Sequence, residues 1–151
     1  MQSQATNIPL SRRAVVLMPV AAGALYVLGR SDSPKRAEFN VREVVLAEAQ
    51  ALIAAGALVL DVRQRAAYET KHIAGAILAP VEALSAAIPA SLAQARERAI
   101  VVYCGDGSTL GPEGTYVLNK AGYSQAVNLK AGIQGWAAAG LPIEQGAGKQ
   151  A

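Results

Sequence analysis

"VVYCGDGSTLGPEGTYVL", Val101–Leu118, carries the one cysteine of the 151-residue chain. The apolar run from Ala99 to Tyr103 leads into Cys104, and a segment rich in glycine and other small residues follows. A continuous apolar run of that length is the pattern of a strand covered on both faces. Downstream, Pro112 near the first turn and Gly122 past the last make "PEGTYVLNKAG" a helix. A buried strand, a glycine-rich loop and a helix in succession form the repeating unit of parallel α/β sheets. In such sheets, sites lie beyond the carboxyl ends of the strands, and Cys104 falls there.

The same alternation continues on either side. "ALVLDV" (57–62) and "QAVNL" (125–129) read as further strands, Val44-Val45 as a weak one and "AILAP" (76–80) as an edge. "LAEAQALIAAG" (46–56) is a helix stopped by Gly56, and "GIQGWAAAG" (132–140) closes the chain's last helix. "AAYETKHIAGA" (66–76) reads as a short helix or turn, and "VEALSAAI" and "SLAQARER" as two short helices split by Pro89. The expectation is one α/β domain over residues 41–144 with a mainly parallel sheet. Its apolar content is enough for a real core.

The loop after Cys104 has a chemical reading. Glycines let the backbone of Gly105–Gly111 turn several N–H groups inward as an anion-binding nest. The positive end of the following helix points at the same place. Both favour a negative charge on the cysteine sulfur, as thiolate or as persulfide. Cys104 is therefore the candidate nucleophile, and Gly105, Asp106, Gly107, Ser108, Thr109 and Leu110 are the candidate substrate-binding residues. The plainer alternative is an inert buried thiol.

Charge and cysteine usage exclude other classes. The net charge of +3 comes from Arg12, Arg13 and Arg30, since residues 31–151 balance 11 basic against 11 acidic side chains. No cluster of basic and stacking residues marks a nucleic-acid footprint. One cysteine excludes an internal disulfide, and the single histidine, His72, leaves no metal-ligand spacing, so neither a metal nor another cofactor is expected. "SRRAVVLMPVAAGALYVLGR" (11–30) sets a twin arginine before a 16-residue uncharged run, Ala14–Gly29. That is the pattern of an export signal, similar to the bacterial twin-arginine type. Ala22-Gly23-Ala24 is its best cleavage candidate, and an uncleaved membrane anchor is the alternative. Residues 1–30 are read as signal or anchor, 31–40 as a linker and 145–151 as a polar tail. The domain is expected in the periplasm or outside the cell, touching membrane only through an uncleaved N-terminal segment.

Three segments, "LVLDVRQRAAYETKHIAGAILAP", "IVVYCGDGS" and "AVNLKAGIQGWAAAGLPIE", together resemble a single-domain rhodanese, in the family's order and spacing. The resemblance covers about Val41 to Glu144. It implies a five-stranded parallel sheet with helices on both faces. It also implies a sulfurtransferase in which Cys104 takes sulfane sulfur from thiosulfate or a persulfide and passes it to a thiol or protein acceptor. Asp61 and Arg63 match the family's aspartate–arginine pair, His72 its histidine turn, and Gly132 and Trp136 its last motif. The resemblance gives Asp61, Arg63, His72 and Trp136 supporting roles.

The chain departs from the pattern in its loop. Many members carry arginine five residues after the cysteine, where this chain has Thr109. Asp106 stands where basic residues are common, Lys71 and Ala74 replace glycine and proline, and the loop–helix segment is one residue longer. An aspartate beside the sulfur repels dianionic thiosulfate, so persulfide exchange is the less affected reaction. Without loop arginine, anion capture would fall to backbone N–H groups or to a folded-over Arg63, Arg65 or Lys71. Phosphatase or arsenate reductase chemistry, which requires a loop-closing arginine, meets Leu110 at that position. The non-enzymatic alternative is a docking or regulatory module, which would tolerate Cys104→Ser.

Overall fold

The computed structural model describes residues 39–151. The export segment expected at 1–30, and all but the end of the linker expected at 31–40, lie outside the described residues. Among the described residues no helix is long and apolar enough to cross a membrane.

The chain runs β1 (Glu43–Val44), α1 (Leu46–Ala54), β2 (Leu58–Asp61), α2 (Arg65–Thr70), β3 (His72–Ile73), β4 (Ile77–Leu78) and α3 (Val81–Ala86). A 3-10 helix (Ala90–Ala95) precedes β5 (Ile100–Tyr103), α4 (Leu110–Lys120), β6 (Ala126–Leu129), α5 (Gly132–Ala138), β7 (Ile143–Glu144) and β8 (Lys149–Gln150). The main sheet has the order β1-β6-β5-β2-β4-β8, and every neighbouring pair in it is parallel. β3 and β7 form a separate antiparallel pair.

The continuous apolar run of β5 is explained by its central place. Side chains alternate across a strand, so Ile100 and Val102 enter one layer with Leu60, Leu84, Leu92, Leu118 and Tyr123. Val101 and Tyr103 enter the other, with Val59, Val127, Leu129, Ile133 and Trp136. Helices α1 and α5 supply the second layer, while α3, the 3-10 helix and α4 supply the first. Full burial of each such aliphatic side chain is worth roughly 1.5–3 kcal/mol. Cys104 follows Tyr103 and joins the α4 layer.

Two expectations are corrected. The main sheet has six strands, not five, because Lys149–Gln150 of the polar tail pairs with β4. That strand is held by main-chain pairing and by one phenol. The Tyr68 hydroxyl takes a hydrogen bond from the Lys149 amide at 3.1 Å and gives one to the Ala76 carbonyl at 2.7 Å. The second correction concerns α4, which begins at Leu110 with Thr109 as N-cap, ahead of Pro112. The open loop is therefore shorter than the expected Gly105–Gly111.

Candidate active site

Strand β5 delivers Cys104 to the carboxyl end of the sheet, where its residue is 1% exposed. Helix α5 grips the next turn from one side. The Ile133 amide donates to the Cys104 carbonyl and the Gln134 amide to the Gly105 carbonyl, both at 3.0 Å. With those two carbonyls held by α5, the first peptides of the loop are fixed in orientation. Gly107 and Gly132 make the approach possible. Both have positive φ, 79° and 55°. A β-carbon at Gly107 would run into the Lys130 carbonyl, and one at Gly132 into the Gly105 carbonyl.

Among the described residues, the only amide between Gly105 and Leu110 that donates a hydrogen bond is that of Ser108. The amides of Gly105, Asp106, Gly107, Thr109, Leu110 and Gly111 have no backbone or side-chain acceptor among the described residues, and they lie at the positive end of an 11-residue helix. These are the donors an anion or a persulfide needs. Against them stands one carboxylate. The Asp106 Oδ1 lies 3.9 Å from the Cys104 Sγ, within reach of a weak thiol hydrogen bond. The Ser108 amide donates to the same oxygen at 3.0 Å. Hydrogen bonds from the Ser108 amide and hydroxyl hold the Asp106 carboxyl below its ordinary range. Asp106 and Ser108 are exposed, Gly105, Thr109 and Leu110 are half-buried, and Gly107 is buried.

The supporting residues are placed as follows. Asp61 is fully buried and Arg63 embraces it, Nε lying 2.9 Å from Oδ1 and Nη2 2.6 Å from Oδ2. The Arg63 Nη2 also donates to the Lys71 carbonyl at 2.7 Å. Burial opposes the Arg63 charge, but the Asp61 carboxylate outweighs it and raises the guanidinium above its ordinary value. Burial first, and then the Asp61 charge, push the Tyr103 phenol far up. His72 stacks on Tyr68 with ring centroids 3.8 Å apart, its Nδ1 2.9 Å from the Tyr68 carbonyl. Its Nε2 is 3.5 Å from Glu144. The Trp136 indole donates to the Pro142 carbonyl at 2.9 Å.

The arginines considered as substitutes for a loop cation are engaged elsewhere. Arg63 is committed to Asp61, while Arg65 pairs with Glu69 and donates to Gln150.

One residue of the site escaped the sequence reading. Asn128 on β6 is fully buried beside β5. Its Nδ2 donates to the Gly107 carbonyl at 2.8 Å and to Glu43 at 3.2 Å, fastening the loop to the sheet. Its Oδ1 has no hydrogen-bond partner among the described residues and lies against Gly111, whose other neighbour is the Cys104 sulfur. The signal was a polar residue inside the strand "AVNL", where the surrounding pattern demands apolar ones.

Comparison with known proteins bears on the fold and the family. The family model described as a rhodanese-like domain matches residues 45–139. The Escherichia coli K12 protein YibN, uncharacterized, is 33% identical over 132 residues, covering 86% of this chain and 91% of its own. The crystal structure of a Pseudomonas aeruginosa thiosulfate sulfurtransferase superposes with a TM-score of 0.62 at 29% identity. That match covers 73% of this chain but only 21% of the larger protein. The human single-domain sulfurtransferase TSTD1 superposes with a TM-score of 0.58 at 27% identity, covering 65% of this chain and 96% of its own. The strand–cysteine–loop–helix unit, its flanking sheet and these matches together show that the chain belongs to the rhodanese-like domain family.

Proposed function

We propose that the protein is a sulfurtransferase that carries sulfane sulfur as a persulfide on Cys104, taken from a persulfide donor in preference to thiosulfate. The observation that supports it most directly is the run of loop amides without acceptors among the described residues that follows a cysteine at the carboxyl end of β5 and leads into α4. In the loading step the Cys104 thiolate attacks the outer sulfur of R–S–S⁻. A bond forms between Sγ and that sulfur, the donor's S–S bond breaks, and R–S⁻ leaves with its electron pair. In the unloading step an acceptor thiolate attacks the same outer sulfur and Sγ departs as thiolate. Neither step needs a metal or an organic cofactor. The loop amides hold the negative charge that moves from sulfur to sulfur. The Asp106 carboxylate and the lack of an unengaged loop cation count against a dianionic donor.

Mass spectrometry of the intact protein tests this. Incubation with a low-molecular-weight persulfide should add one sulfur, about 32 Da, to wild type and none to Cys104→Ser. Thiosulfate should load more slowly. A Cys104→Ser variant that acquires the same adduct, or a wild type that acquires none from either donor, overturns the assignment.

A further inference from the structure

Asp106 is an exposed carboxylate whose Oδ1 lies 3.9 Å from the buried Cys104 sulfur. Its Oδ1 is engaged by the Ser108 amide and the Cys104 thiol. Among the described residues no cation pairs with it. None of Arg63, Arg65, Lys71 and Lys130 forms an ion pair with Asp106 among the described residues. Arg63 is on Asp61, Arg65 on Glu69, and Lys130 lies 3.9 Å from Glu43. A persulfide on Cys104 sets the reactive atom one S–S bond, about 2 Å, beyond Sγ. The sulfur that the acceptor attacks therefore lies within about 6 Å of that carboxylate oxygen.

We infer that Asp106 selects the acceptor by charge and that the site is built for an aminothiol, whose ammonium group docks on the Asp106 carboxylate while its sulfur attacks the persulfide. This deepens the sulfurtransferase reading and rests on it. Two carbons separate sulfur from nitrogen in such a molecule, so one small ligand reaches both groups. The acceptor first gives its thiol proton to water. Its thiolate then forms an S–S bond with the outer sulfur. The bond from that sulfur to Sγ breaks, and the electron pair stays on Cys104. One persulfide is exchanged for another, with no net oxidation or reduction and no co-reactant. A thiol bearing a carboxylate at the same position meets repulsion instead.

The test is transfer from the sulfur-loaded full chain to cysteamine and to 3-mercaptopropionate, with rates corrected for the thiolate fraction of each. Wild type should prefer cysteamine. Asp106→Asn, which retains an oxygen for the Ser108 amide, should lower the cysteamine-to-mercaptopropionate ratio about fivefold or more, the size of one charge contact in water. Asp106→Lys should invert the preference, and raised salt should shrink it in wild type. A second readout needs no persulfide: the relative rates at which cationic and anionic methanethiosulfonates of similar size modify Cys104. That ratio should fall in the same order across the variants. Ratios unchanged by both substitutions overturn the inference even where the sulfur adduct forms. An absent adduct with charge-dependent modification intact overturns the sulfurtransferase reading instead, and leaves Asp106 as the filter for what reaches Cys104.

Discussion

At the scale of single residues, the site depends on two buried polar contacts that hold backbone in place. Asn128 presents both amide hydrogens to acceptors, one of them the Gly107 carbonyl. Asn128→Ala removes that donor and leaves a buried carbonyl unpaired, a loss of about 1–3 kcal/mol. Urea unfolding should show it, and sulfur loading of Cys104 should slow because Gly107 is no longer fixed. The Asp61–Arg63 pair is a sharper case, with the carboxylate fully buried and the guanidinium side chain 12% exposed. Asp61→Asn strands the arginine and should cost about 3 kcal/mol in the same measurement. Replacing both residues with apolar ones of similar size should cost less than either single change, since no charge is then left without a partner. Cys104 and its loop were legible in the sequence because a lone thiol at the end of a buried strand has a known geometric meaning. The role of Asn128 was not, because its partners lie on β1 and the loop, brought together only by the parallel register.

At the scale of elements, legibility followed the number of side chains an element buries. Strands β2, β5 and β6 each bury at least three residues, so each left an apolar run in the sequence. Strands β7 and β8 are exposed two-residue pairings held by main chain, and they left no pattern to read. The start of α4 was misread for a related reason. Proline at the third helical position is as acceptable as at the first, since neither N–H has a partner inside the helix. The sixth strand has a measurable weight. Residues 146–151 contribute the Gly146 amide bond to Glu69, the Ala151 amide bond to Leu78 and the Lys149 amide bond to Tyr68. Truncation after Gln145 should leave the domain folded with its melting temperature lowered by about 5 °C or more. The rate of sulfur loading should stay unchanged, because β2 and β4 stand between β8 and the cysteine-bearing β5. A change in loading rate as large as that of Asn128→Ala would show that the tail reaches the site.

At the scale of the whole domain, the sheet concentrates its apolar content at the centre and tapers to its margins. The outermost strands are β1 and β8, each two residues long, and three of those four residues are polar and exposed: Glu43, Lys149 and Gln150. An unpaired strand is an invitation to another chain, and short charged margins withdraw it. The sixth strand therefore shields β4, whose Ile77 and Leu78 would otherwise form an apolar border. Loss of the tail trades a blunt margin for a sticky one. Six residues at the end of the described domain thus turn an apolar border into a polar one.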